Sequence, residues 1–504
     1  MEELETWLGT WGDHLWTWIV LPIVAALGLY LTVRSGVVQI RLLPEMFRTL
    51  SDKTPLDADG KPQSVSSFQA FTMSAASRVG TGNIAGVATA IAIGGPGAVF
   101  WMWLMAAIGA ASAFAESSLA QLFKVRDSQG FRGGPAYYMA KGLGARWMGV
   151  VFAVILIFCF PFAFSALQAN TIAITSASAI ETMTGVGGEW LPLIIGLVTA
   201  ALTALVVFGG VRRIAEVTQV LVPVMALAYL LLGLAVVVVN IEQLPGAFAS
   251  IFTQAFGFNQ VLGATLGQII LVGAKRGMFS NEAGLGSAPN AGAAAAVTHP
   301  VKQGLVQSLG VYFDTMIVCS ITAFLVLVAV PIEAGGLEGI ELTQFALESS
   351  LGEWTSIALA VVVFMLAFSS IIGNYYYGEA SIEFISARPI VLTVFRVLVV
   401  LAILVGSVAS ASVVWSAADG VMGLMAITNL VALALLSGLV FRLLKDYTRQ
   451  RREGLDPVFT RDLLPDVKGI TCWEDSLSVT GPLDVVTRRR QSEKHRDHLH
   501  TRGS

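Results

Sequence analysis

Arg78-Val-Gly-Thr-Gly-Asn83-Ile-Ala85-Gly86 and Arg276-Gly-Met-Phe-Ser-Asn281-Glu-Ala283-Gly284 carry identical residues at four positions, each pair 198 positions apart. Four matches are weak in a chain with 50 glycines. The same shift, however, carries the apolar runs 147–180, 190–209 and 214–240 approximately onto 353–385, 389–410 and 412–442. It also superposes Glu116 on Asp314, two of the few acidic residues inside apolar runs. One offset that aligns a motif and a series of hydropathy segments marks an internal repeat.

Both motifs lie in runs long enough to span a bilayer, which takes about 20 apolar residues. Of the 504 residues, 55% are apolar and 13% are charged, and the mean hydropathy is +0.72. Soluble domains carry about 25% charged residues, so this composition predicts many crossings. Eleven runs qualify: 14–34, 66–93, 97–124, 147–180, 190–209, 214–240, 259–298, 303–330, 353–385, 389–410 and 412–442. Two amphipathic stretches, 244–256 and 338–350, read as interfacial. A net charge of -3 gives no footing for a nucleic-acid partner. Cys159, Cys319 and Cys472 show no metal-ligand spacing, and the first two sit in apolar runs as packing residues. The acidic start, with Glu2, Glu3, Glu5 and Asp13, does not read as a cleavable signal peptide.

Lys and Arg alternate between the links. Basic links after 14–34, at 125–146, at Arg212 and Arg213, at His299 and Lys302, at Arg388 and after 442 alternate with links that have neither. The positive-inside rule then places the N-terminus outside and the C-terminus in the cytoplasm of a plasma-membrane protein. Each repeat holds five crossings, an odd number, so the second must be inverted. The expected fold is therefore all-α: one extra N-terminal transmembrane helix plus a five-plus-five inverted repeat, with a discontinuous first helix in each half. The boundaries are 1–62 for the N-terminus, extra helix and linker, 63–240 and 241–442 for the repeats, and 443–504 for a cytoplasmic tail. The tail is polar and mixed in charge and reads as solvated and partly disordered, although its Arg488-Arg489-Arg490 run could touch anionic lipid. No feature sets an oligomeric state.

The two breaks suggest chemistry. Gly80 and Gly82 weaken a helix by roughly 1 kcal/mol each relative to alanine. A break at membrane depth is tolerated only where the freed backbone is buried in protein or lines a cavity. There, a half-helix N-terminus offers N–H groups to an anion such as a carboxylate, and the opposing half-helix end offers carbonyls to a cation. A zwitterionic amino acid with a sodium ion suits both ends. Thr81, Asn83 and Asn281 add polar groups at the same depth. Small residues alone would explain close packing at Ala85, Gly86 and Gly94, but not an asparagine at both breaks. Gly80-x-Gly82 lacks the strand that a dinucleotide fingerprint requires.

Leu366, Ser369 and Ser370 share one helix face. The two hydroxyls either join carbonyls of the first broken helix around a cation or bond their own helix backbone. Gln168 and Asn170 either face the cavity or mend a helix contact. Glu116 and Asp314 read as structural or gating partners of Arg78, Lys275 or Arg276, with a proton relay as the alternative. Glu379 and Glu383 read as gate or interface charges near a helix end.

At these residues the chain resembles the alanine or glycine:cation symporter family, the sodium:alanine symporters. The resemblance rests on Gly80-Thr-Gly-Asn-Ile, Gly94-Gly95-Pro-Gly-Ala-Val-Phe100-Trp101-Met102-Trp103 through Gly109, Gly133-Gly-Pro-Ala-Tyr-Tyr138, Arg276 to Ser287, His299-Pro-Val-Lys-Gln-Gly304 and Asp314-Thr315. It runs from about 34 to 445 and implies a leucine-transporter-type fold. It implies cation-coupled uptake of alanine, glycine or similar small neutral amino acids, with sodium as the co-transported ion. By that similarity, the carbonyls of Ala76 and Val79 with Ser369 and Ser370 hold sodium. Thr81, Gly82, Asn83, Gln168, Phe279 and Ser280 line the substrate pocket, beside Asn281. Family members often carry Trp where this chain reads Gly373-Asn374, so Asn374 bears on selectivity. Proton coupling is the alternative within this class. A membrane-embedded enzyme would need a converging nucleophile, base or metal set; the chain has no HExxH motif and five histidines. A channel would share the spans but not the two breaks.

Overall fold

The computed structural model describes residues 2–57, 59–127, 129–256, 265–330, 336–409 and 411–473. Among them, eight helices are long and apolar enough to cross a membrane. They are Gly9–Arg34, Gly97–Leu122, Arg146–Thr184, Gly210–Val239, Pro300–Ala329, Thr355–Ile385, Pro389–Val408 and Ala418–Arg452. Leu191–Val207 is apolar but shorter. Two further segments, 67–94 and 266–294, are each helical in two pieces. The chain is a multi-pass membrane protein.

Local sequence explains where the helices start. Proline stands in the first turn of Leu191–Val207, of the helix beginning at Pro300 and of Pro389–Val408, where its missing N–H costs nothing. Both broken helices open on the same reciprocal cap. The Ser66 hydroxyl accepts the Gln69 N–H at 3.1 Å and the Gln69 side chain accepts the Ser66 N–H at 3.0 Å. Thr265 and Gln268 repeat this at 3.3 and 2.9 Å.

The layers sort by polarity. Gly97–Leu122 and Thr355–Ile385 are largely buried, whereas Leu193, Leu197, Val220, Leu227, Leu398 and Leu401 turn outward on peripheral helices. A band of that kind would be unfavourable in water and is stable against acyl chains. Gly97–Leu122 packs on both Leu266–Asn281 and the helix starting at Pro300, and Thr355–Ile385 packs on Ser67–Arg78 and on Ser165–Thr184. At Gly273 a Cβ would lie 2.4 Å from the Ala98 carbonyl oxygen, so that helix pair owes its spacing to the absent side chain.

Three features depart from expectation. An antiparallel ribbon pairs Val125–Asp127 with Gly130–Arg132, so the fold is helical but not purely so. The last helix, Ala411–Arg452, continues past the end of its apolar run. The stretch after it, read as solvated tail, packs on the protein through 473: Phe459, Leu464, Ile470 and Trp473 are buried. The Thr298 hydroxyl donates to the Pro457 carbonyl at 2.8 Å, and Phe459 N–H donates to the Thr298 carbonyl at 2.9 Å. Arg488-Arg489-Arg490 lies outside the described residues.

Candidate functional site

The first break follows Arg78. Val79 leaves helical geometry at φ -83°, ψ 87°, and the chain resumes in a widened turn over Gly82–Gly86. The Asn83 side chain knits the gap: its Oδ1 accepts the Gly80 N–H at 2.9 Å. Thr81 N–H donates to Gln168 Oε1 at 3.3 Å, and the Thr322 hydroxyl donates to the Asn83 carbonyl at 2.8 Å. Gly80 is required sterically, since a Cβ there would lie 2.3 Å from Ser370 Oγ and 2.9 Å from Gln168 Nε2. The break is therefore wedged between the serine expected at the cation and the glutamine expected at the substrate.

The second break comes later in its motif than the repeat implies. Leu266–Asn281 runs on past the residues equivalent to Gly80 and Gly82, and the chain turns left-handed at Glu282 (φ 56°), Gly284 (φ 83°) and Gly286 (φ 84°). It re-forms a helix over Pro289–Ala294. Ala283 N–H donates to Asn281 Oδ1 at 3.0 Å, and Asn281 Nδ2 donates to Thr315 Oγ1 at 3.2 Å.

Two buried carboxylates brace these gaps. Asp314 lies in a widened helical stretch, Tyr312–Cys319, a form often found at functional sites. It accepts Asn83 Nδ2 at 2.6 Å, Ser280 Oγ at 2.7 Å and Thr315 Oγ1 at 2.9 Å. Glu116 accepts the Gly284 N–H at 3.3 Å and Asn429 Nδ2 at 2.8 Å. Each acid thus holds a break in the other half of the chain. The hydrogen bonds described above run to neutral donors, while Arg78, one of the basic partners expected from the sequence, attracts both carboxylates without bonding either. Lys275 instead pairs with Asp13 at 3.0 Å and Asp419 at 2.8 Å, and Arg78 donates to the Gln307 carbonyl at 3.2 Å.

The expected cation donors converge. Ser369 Oγ lies 3.4 Å from the Ala76 carbonyl oxygen, and Ser370 Oγ lies 3.5 Å from that of Val79. Both hydroxyls also donate to the Leu366 carbonyl of their own helix, at 2.8 and 3.1 Å. All four residues are fully buried. Hydroxyl and carbonyl oxygens alone suit a hard cation of low charge. Among the described residues no cluster of His, Cys, Asp or Glu has the makings of a transition-metal site.

The other expected residues divide. Ser280 and Asn83 share Asp314, and both reach Cys319 Sγ, at 3.1 and 3.3 Å. Phe279 stands edge-on to Phe164 with centroids 5.0 Å apart, and a Cβ on Gly82 would lie 2.9 Å from its ring. Asn170 mends a helix contact, donating to the Gly406 and Ala409 carbonyls at 3.2 and 2.7 Å. Asn374 sits in a separate buried cluster: Ser77 Oγ lies 2.6 Å from Asn374 Oδ1 and 2.8 Å from Glu282 Oε1, and Ser287 donates to Glu282 at 2.6 Å. Glu379 bonds Tyr375 and Arg396, and Glu383 pairs with Arg132. Sequence reasoning missed Ser77, Glu282, Cys319 and Thr322. Glu282 was the one with a visible signal, a carboxylate inside the second motif.

Two helices broken in mid-course, with polar side chains packed between them, are the architecture of a class, the secondary transporters. The chain matches the sodium:alanine symporter family over residues 1–461 and belongs to it. It is 49% identical over 463 residues, covering 92% of this chain and 96% of the other, to the amino-acid carrier protein AlsT of Bacillus subtilis. The probable sodium/glutamine symporter GlnT of the same organism is 47% identical over 93% of this chain and 96% of its own. The sodium/alanine symporter AgcS of Methanococcus maripaludis is 38% identical over 88% of this chain and 97% of its own. In fold the chain is similar to MhsT, solved in complex with L-phenylalanine, with a TM-score of 0.55 at 14% identity over 78% of this chain and 99% of that one.

Proposed function

We propose that the chain takes up small neutral amino acids, alanine or glycine among them, with sodium, by alternating access. The observation that carries this reading is the convergence of Ala76, Val79, Ser369 and Ser370 directly beside the break at Gly80. Sodium held by those oxygens bridges the first broken helix and the Thr355–Ile385 helix. That fixes the break so that the substrate carboxylate takes over the Thr81 N–H from Gln168 Oε1 and meets the Gly82 N–H beside it. Asn83, Gln168, Phe279, Ser280 and Asn281 form the rest of the pocket. Asn374 acts on selectivity through its contact with Ser77, one residue from Ala76.

Eleven crossings in a five-plus-five inverted repeat, behind one extra helix, suit this mechanism. So does a plasma-membrane orientation with the N-terminus outside and the C-terminus in the cytoplasm. The boundaries are those drawn above: 1–62, 63–240, 241–442 and 443–504. Moving one net positive charge inward supplies about 2.3 kcal/mol per 100 mV. At about 1.4 kcal/mol per tenfold, that supports roughly fifty-fold accumulation before the sodium gradient is counted. AgcS is named for alanine and GlnT for glutamine, so a panel of both sizes is the informative one. Uptake is measured in proteoliposomes with inward sodium, inward proton or no gradient. Sodium-driven alanine or glycine uptake is expected, and indifference to sodium would end this reading.

A further inference from the structure

Between the end of the Gly9–Arg34 helix and the last turns of Ala411–Arg452 lies a cavity of about 810 Å³. Its walls carry six cationic side chains, Arg34, Arg41, Arg442, Lys445, Arg449 and Arg452, against two carboxylates, Asp446 and Glu453. Its floor is apolar and buried, with Leu443, Leu444, Phe459 and Leu464. The acids are partly spent: Asp446 accepts from Arg449 at 2.5 Å and Gln450 at 2.7 Å. Arg442 is committed to Asp466 through a bidentate pair at 2.6 and 2.7 Å.

The remaining cations are positioned differently. Arg41 donates to the Ser35 carbonyl at 3.1 Å, and the Arg34 guanidinium lies 5.3 Å from the Phe441 ring centroid. Among the described residues, Arg34, Arg41, Lys445 and Arg452 have no carboxylate within ion-pairing distance. Four unneutralised cations around one cavity make a site for a phosphate ester.

The surroundings point to its source. Tyr30, Val33 and Val37, close in sequence to Arg34 and Ser35 of the cavity wall, expose their side chains. Tyr30 packs edge-on to Phe441, with centroids 6.0 Å apart. A free phosphate would use the cations alone. A phospholipid would use both, with its headgroup in the cavity and its acyl chains along those exposed side chains.

We propose that this cavity binds the phosphate headgroup of an anionic phospholipid at the inner surface of the membrane. The placement rests on the cytoplasmic orientation proposed above, because that leaflet carries the anionic lipid. The binding itself rests only on the cavity.

The test uses the purified full chain in neutral detergent, loaded with equal phosphatidylglycerol and phosphatidylcholine of matched acyl chains, with retained lipid counted by native mass spectrometry. About tenfold preference for phosphatidylglycerol is expected, falling towards parity in the triple variant Arg41→Gln, Lys445→Gln, Arg452→Gln. Inorganic phosphate and glycerol phosphate should fail to displace the lipid. Unchanged preference in the triple variant would overturn the site, and displacement by inorganic phosphate would assign it to a soluble phosphate instead. Sodium-driven uptake by the variant in phosphatidylcholine vesicles, together with its melting temperature, controls for folding. Loss of uptake by the unmodified chain with lipid preference intact would count against the transport reading and leave this one standing.

Discussion

Asp314 accepts the Asn83 side-chain N–H at 2.6 Å through one oxygen and the Ser280 hydroxyl at 2.7 Å through the other, so a single carboxylate ties the first broken helix to the second. Both donors are buried. Hydrogen bonds to a charged group contribute about 1.5–3 kcal/mol, and an orphaned buried donor costs about 1–3 kcal/mol. Asp314→Ala should therefore lower stability by about 3 kcal/mol and sodium-driven uptake by about tenfold or more. Asp314→Asn, which keeps one acceptor, should lose less. In a double-mutant cycle, Asn83→Ala and Asp314→Ala should couple by about 1 kcal/mol or more. Additivity in thermal unfolding would show that the carboxylate does not act through Asn83.

Gly80→Ala separates helix propensity from site geometry. Alanine favours a helix by roughly 1 kcal/mol over glycine, so a merely flexible linker at this point should gain stability and keep its activity. The added methyl, however, would lie 2.3 Å from Ser370 Oγ. The expected result is an apparent sodium affinity weakened about tenfold or more, with the unfolding midpoint little changed in sodium-free buffer. Wild-type sodium dependence in this variant would show that Gly80 and Ser370 do not share a site.

These sites were legible to different depths. The break at Gly80–Gly82 was readable because glycine and asparagine interrupt an apolar run, and helix periodicity put Ser369 and Ser370 on one face. Asn281 marked the second break, at the end of its half-helix, but not the residues on which the chain turns. The 198-residue shift aligns Arg78 with Arg276, but the left-handed residues that end the second half-helix, Glu282, Gly284 and Gly286, lie beyond the equivalents of Gly80 and Gly82. Sequence symmetry tracks ancestry, whereas the turn follows local backbone conformation. Glu116 and Asp314 were picked out by the shift, yet their partners were not, because which buried donors meet a carboxylate is decided by packing between distant helices. The stretch at 453–473 was misread for the same reason. Its apolar residues are too sparse to show periodicity, and they bury only against a surface that other segments build.

His299, fully buried just before the helix that begins at Pro300, gives a pH signature. It caps the helix beginning at Pro300, its Nδ1 accepting the Val301 N–H at 3.1 Å; the proton must then sit on Nε2, 3.4 Å from Asp446 Oδ2. Burial holds its pKa below the ordinary 6.5, opposed by Asp446. The folded protein therefore binds fewer protons here than the unfolded chain does. The stabilising contribution is complete above about pH 6.5 and is lost as pH falls through the depressed folded-state value. His299→Asn, which retains a capping oxygen without titrating, should lessen the fall in melting temperature between pH 7 and 5. An identical pH profile in the variant would exclude His299 as the source.

Trp473 tests whether the segment after the last helix belongs to the folded protein. It is 1% exposed. Its Nε1 donates to the Gln121 carbonyl at 3.1 Å, and its ring stands 5.6 Å from that of Phe459. Lys124 Nζ lies 4.4 Å from the Trp473 ring centroid and 3.9 Å from that of Phe131, so both rings lie beside a buried ammonium that also donates to the Ala295 carbonyl at 3.3 Å. Truncating a buried aromatic costs about 3–5 kcal/mol, and here it also uncovers one side of that lysine. Trp473→Ala should lower the unfolding midpoint clearly and admit protease into 453–473. Trp473→Phe keeps a ring over Lys124 and gives up the indole hydrogen bond, so it should cost about 1 kcal/mol. If protease cuts 453–473 equally fast in the wild type and both variants, that segment does not dock as described, and Lys124 must find its counterbalance elsewhere.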